Sequence, residues 1–145
     1  MGCDIHTIAE KRINGKWVKL YSPFNWRQYG MYGFLADVRN YHAIPPISLP
    51  RGVPEDSSFD YDDYYYHSGS WLSMQELLDF NYEQIIEDRR CTVQTGPNSW
   101  NGGATCRKGQ GTEMSYKEFL GKAFFKDLEF LKELEAERIV FAFDN

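Results

Sequence analysis

At 145 residues, with 42% apolar and 17% aromatic side chains, the chain is long enough to bury a core and reads as one domain, 1–145. Its formal net charge of −5 argues against non-specific nucleic-acid binding, because neutralising phosphates needs an excess of Lys and Arg. No run of about 18 apolar residues occurs, so no membrane-spanning helix and no membrane partner is expected. Asp4 and His6 interrupt any apolar leader, and Cys3, Cys91 and Cys106 form no C-x-x-C pair. The expectation is a cytoplasmic protein with reduced thiols.

Residues 4–21 read as a β-hairpin around Asn14-Gly15, a dipeptide suited to two successive positive φ angles. The turn sets a register: Glu10 opposite Lys19, Arg12 opposite Trp17 and Ile8 opposite Tyr21. Ile5, Thr7 and Ala9 then share one face, and Asp4 and His6 the other. Met31–Asn40 reads as a short helix carrying Phe34, Leu35 and Val38. Residues 41–70, with Pro45, Pro46, Pro50 and Pro54, form a long irregular stretch. Within it, the acidic-aromatic run Phe59–Tyr66 reads as a solvated flap or an interaction surface.

Ser73 and Glu76 have capping-box spacing and open a helix; Ser115 and Glu118 open a second, the longest, over about 116–136. Between them, residues 91–113 read as a glycine-rich loop with a short strand at Cys91–Gln94, matching no nucleotide fingerprint. Ile139–Phe143 is a continuous apolar run, as in a strand buried on both faces. The fold class is therefore α+β. The N-terminal hairpin and C-terminal strand form a mainly antiparallel sheet, packed by the long helix and shorter ones.

Asp4 and His6, two apart on a strand, project together, and with His67 are the catalytic candidates. Asp4 and His6 can also ligate a divalent metal, although two ligands do not define a site. The bland alternative is a surface charge pair. His67-Ser68-Gly69-Ser70-Trp71 reads as a donor-rich turn at a helix start, where anions bind, or as ordinary capping. Asp37, Arg39 and Asn40 end the short helix; Arg39 can fork onto a phosphate or a carboxylate. Asp144 and Asn145 follow the apolar strand, and His42 reads as a loop residue. Asp4, His6, Asp37, Arg39, His67 and Asp144 are expected to converge on one pocket, with Asn40, Ser70, Trp71 and Asn145 as further ligand contacts.

The opening Met1-Gly2-Cys3-Asp4-Ile5-His6, the segment Leu35–Asn40, Pro46-Ile47-Ser48, Pro50-Arg51-Gly52, Ser70-Trp71-Leu72 and the ending Phe143-Asp144-Asn145 resemble a family of small uncharacterised proteins associated with bacteriophages and their hosts. The chain departs at Gly69, where some members are expected to carry a second His. The resemblance implies a phage accessory protein acting in the host cytosol, such as a counter-defence protein that sequesters a nucleotide immune signal. Three readings follow: a binding protein for a nucleotide-like or phosphorylated small ligand, a metal-assisted phosphodiesterase cleaving such a ligand, or an interaction module using the Tyr-rich loop. Homo-oligomerisation is left open.

Overall fold

Asn14 and Gly15 both take positive φ, 52° and 78°, so strand β1 (Asp4–Ile13) folds back directly onto β2 (Lys16–Tyr21). The computed structural model describes residues 2–145; Met1 of the opening hexapeptide lies outside the described residues. The fold is α+β with mainly antiparallel sheets. Residues 2–27, Leu49–Phe80 and Gly121–Asn145 make one compact unit; Gln28–Ser48 and Asn81–Leu120 make a second.

The first unit is built on a four-stranded sheet in the order β2-β1-β8-β3, with β3 at His67–Ser73 and β8 at Arg138–Asp144. Every pairing is antiparallel. The apolar run sits in β8, between β1 and β3, and Ile139–Phe143 is wholly buried, as its unbroken apolar pattern requires.

The hairpin register holds for Glu10 with Lys19 and Arg12 with Trp17, but Tyr21 lies opposite Ala9 rather than Ile8. A bulge between Ala9 and Glu10 shifts it by one residue. It turns Tyr21 to the face shared by Ile5, Thr7 and Ala9. There Tyr21 meets Phe130 edge-on at 5.0 Å and Asp127 at 3.3 Å, and Phe24 stacks on Phe124 at 4.6 Å.

Those helix residues belong to α3 (Tyr116–Glu133), opened by Ser115, whose Oγ accepts the Glu118 N–H at 3.1 Å. The expected unbroken helix is interrupted at Gly121 (φ 81°, ψ 172°), which is also where the two units divide. The apolar stripe runs through the break, so periodicity alone does not reveal it. Ser73 caps α2 (Met74–Asp79) as expected, accepting the Glu76 N–H at 3.0 Å. The segment His67–Trp71, expected as a turn, belongs to an edge strand, β3, bulged between His67 and Ser70 with Ser68 at φ 54°.

The opposite face of the sheet carries a buried ion pair. Glu10, with 0% exposure, lies opposite Arg138, and its carboxylate accepts the Arg138 Nε at 2.9 Å. The expected charge partner was Lys19. The third strand supplies a nearer cation from the other side, and it is sandwiched: Trp17 lies 3.7 Å from the Arg138 guanidinium. The same carboxylate accepts the Ser58 N–H and the Ser58 Oγ, each at 2.7 Å, so it anchors the segment leading into the Phe59–Tyr66 run.

In the second unit, α1 (Tyr29–Ala36) is buried almost all round and packs Phe34 on Tyr116 and Tyr82. It ends four residues sooner than the sequence pattern suggests, because Asp37 takes φ 58° and closes the helix C-terminus. Strands β4 (Ile85–Asp88) and β7 (Thr112–Ser115) pair with each other. The expected glycine-rich loop is largely a two-stranded ribbon, β5 (Arg90–Gly96) with β6 (Ser99–Thr105), turning at Pro97-Asn98.

Two stability outcomes follow. Gly121→Ala is expected to cost about 1–3 kcal/mol in urea unfolding, since a side chain is disfavoured at that φ/ψ. A Cβ there meets nothing within 4 Å, so the cost is conformational and not steric. Glu10→Gln is expected to cost about 3 kcal/mol, the low end for breaking a buried pair. Asp56 still holds the guanidinium at 3.1 Å. A loss well under 1 kcal/mol in the same unfolding experiment would mean the pair does not carry the sheet.

Candidate functional site

The pairing of β1 with β8 sets Asp4 directly opposite Asp144. Two carboxylates facing one another across strands repel, so each needs its own counter-group. Arg27 forks onto Asp4, Nε to Oδ1 at 2.9 Å and the terminal nitrogen to Oδ2 at 3.0 Å. This donation holds the Asp4 carboxyl below its usual range, with a smaller contribution in the same direction from His6. Asp144 is taken by His6, Nε2 to Oδ2 at 2.5 Å.

The carboxylate at Nε2 leaves Nδ1 as the ring nitrogen with no hydrogen-bond partner among the described residues. In the neutral ring Nε2 then carries the proton and Nδ1 a lone pair, the arrangement of a carboxylate-oriented general base. Tyr66 packs against the imidazole at 5.2 Å, and Phe59 packs on Tyr66 at 5.7 Å.

Asp4, His6, Phe59 and Tyr66 line an open cleft of about 640 Å³ in the first unit. Asp4 and His6 stand on one side with Ser22 and Asn25; Phe59, Asp60 and Tyr66 form an aromatic and acidic wall; Lys19 supplies the cation. The volume lies in the usual range for small-molecule sites. The wall stands where it does because Glu10 grips Ser57 and Ser58 immediately before it.

The sequence-derived candidates divide. Asp4, His6 and Asp144 come together. His67 pairs with Phe143, stacks on its ring at 6.2 Å and bonds Asn145 and Ser68, and it does not line the cleft. Ser70 is buried and accepts the Arg51 N–H at 3.0 Å; Trp71 lies under the Arg51 guanidinium at 4.9 Å. These are structural contacts that tie residue 51 to the edge strand.

Asp37, Arg39 and Asn40 belong to the second unit. There Asn40 donates to Asp37 and to the Ile44 carbonyl, each at 2.8 Å, and Arg39 stacks over Tyr29 at 5.6 Å and reaches the Tyr41 hydroxyl. His42, read as a loop residue, is held by Asp88 at 2.6 Å and meets Phe119 edge-on.

Arg27, Lys19 and Asn25 were not singled out from sequence. Arg27 follows from the fold alone: two opposed carboxylates demand a cation, and the nearest basic residue past the hairpin supplies it.

A resident divalent metal does not fit Asp4 and His6. Both Asp4 oxygens are engaged by Arg27, His6 offers only Nδ1, and no three His, Cys, Asp or Glu side chains gather as a ligand set among the described residues. No protein-family model, curated protein or solved structure matches the chain.

The Asp4–Arg27 fork has a pH signature. A carboxyl with a depressed pKa contributes stability above its unfolded value and loses it as pH falls through the folded value. Arg27→Gln is expected to move the Asp4 titration up towards the ordinary carboxylate range, read by carboxyl-carbon NMR. An unmoved titration would show that the fork is not formed in solution.

Proposed function

We propose that the first unit binds a nucleotide-like or other phosphorylated small ligand in the cleft between Asp4, His6 and the Phe59–Tyr66 wall. The observation that carries this reading is the His6–Asp144 pair set beside an aromatic wall in a cleft of ligand size. A flat ring stacks on Tyr66 or Phe59, its polar edge reaches Asn25 and His6, and Lys19 takes an anionic group. On the resemblance to phage-associated proteins, the ligand class extends to nucleotide immune signals and the protein acts as a counter-defence sponge for them.

The His6–Asp144 geometry favours a second reading, hydrolysis of the same ligand class with His6 as general base. Asp144 orients the ring, and Nδ1 accepts a proton from the water that attacks phosphorus; the ester P–O bond breaks, and the leaving oxygen takes its proton from the imidazolium or from solvent. This route uses the residues present and assigns no ligand role to Asp4.

Incubation with a panel of cyclic and linear nucleotides, with and without divalent cation, separates the readings. Intact ligand released after denaturing the protein supports sequestration, and product supports hydrolysis. Tyr66→Ala is expected to weaken binding about tenfold through lost stacking. His6→Ala is expected to weaken it by a similar factor in a sponge, but to abolish turnover in a hydrolase. If the panel neither binds nor reacts, the ligand reading falls.

A further inference from the structure

The segment that walls the cleft carries a tip that the cleft does not use. Tyr64 is 87% exposed and Tyr65 66%, the highest exposures among the large apolar and aromatic side chains described, and their rings pack edge to face at 5.0 Å. Neither lines the cleft. The two adjacent rings form one contiguous aromatic patch, the kind of exposed surface that a partner covers.

Charge says what covers it. Asp60, Asp62 and Asp63 are exposed beside the pair, and none of the three has a Lys or Arg partner among the described residues. The chain has no Lys or Arg between Arg51 and Arg89. This field repels nucleic acid and anionic lipid. It attracts a cation, and tyrosine faces add to that attraction when the cation is planar and weakly hydrated. A guanidinium meets both features, stacking on a ring while forking onto a carboxylate; an ammonium does the first less well and cannot do the second.

We propose that the Tyr64–Tyr65 tip docks an arginine-rich basic segment of a partner protein. Asp60 is shared with the cleft wall, whereas Tyr64 and Tyr65 are not.

The test is fluorescence anisotropy of the full chain with labelled nona-arginine, nona-lysine and nona-glutamate peptides at low and physiological salt. Nona-arginine is expected to bind best and nona-glutamate not at all. The double variant Tyr64→Ala/Tyr65→Ala is expected to lose about fivefold or more in nona-arginine affinity, and Tyr64→Phe/Tyr65→Phe to keep it, because the ring face carries the attraction. Removing two exposed charges elsewhere, Glu129→Gln/Glu133→Gln, is expected to change affinity far less than the alanine pair. Equal affinity for the arginine and lysine peptides with no effect of the alanine pair reduces the binding to general charge attraction and overturns the proposal. Absence of binding overturns it as well. So does a dimer in sedimentation that the alanine pair dissociates, which would make a second copy of the chain the occupant.

Discussion

The first unit depends on a buried ion pair between its two central strands. Glu10 and Arg138 face each other across β1 and β8, and each has the company a buried charge needs. The carboxylate accepts donors from Arg138, Ser57 and Ser58; the guanidinium is stacked on Trp17 and held by Asp56. Desolvating two charges is costly, and the Coulombic gain alone does not reliably return that cost. What the pair provides is register. A slip by one residue would set the two charges on opposite faces of the sheet and turn one of them into the apolar face.

The register then determines the site. Once Glu10 faces Arg138, Asp4 must face Asp144, and that repulsive juxtaposition recruits Arg27 and His6. The same carboxylate of Glu10 grips Ser57 and Ser58, which fixes where Phe59 and Tyr66 stand. One buried side chain thus settles both sides of the cleft. Asp56 extends this arrangement to the surface: donation from Arg138 and, less strongly, from Trp17 lowers its carboxyl pKa, keeping it ionised against the guanidinium.

Much of this architecture was legible in the residues. The Asn14-Gly15 turn, the two Ser caps and the buried C-terminal strand are local signals, and each appears where its chemistry places it. The features that escaped are those set by a third element. The bulge at Ala9 and the exchange of Lys19 for Arg138 depend on β8 as well as on the hairpin. Strand β3 hides in a Ser/Gly-rich segment because an edge strand with a bulge needs little β-branched character. The β5–β6 ribbon hides behind its glycines and its exposed faces, which show no apolar alternation. Of the site, spacing revealed Asp4 and His6, and Asp144 was legible as the residue following the apolar strand. Arg27 and Lys19 become visible only once the strand register is known.

The position of β8 in the sheet has a consequence for how the unit comes into being. Its central strand is Arg138–Asp144, the last element in chain order, yet both β1 and β3 pair with it. During synthesis the hairpin emerges early with one edge of β1 unpaired, and Glu10 waits for an arginine made more than a hundred residues later. Such an edge is a template for wrong partners until it is covered. The nascent chain must therefore pass through an interval in which its first strands exist without the strand that joins them. The protection of that open edge, by speed of synthesis or by a chaperone, becomes part of what allows this sequence to reach its fold.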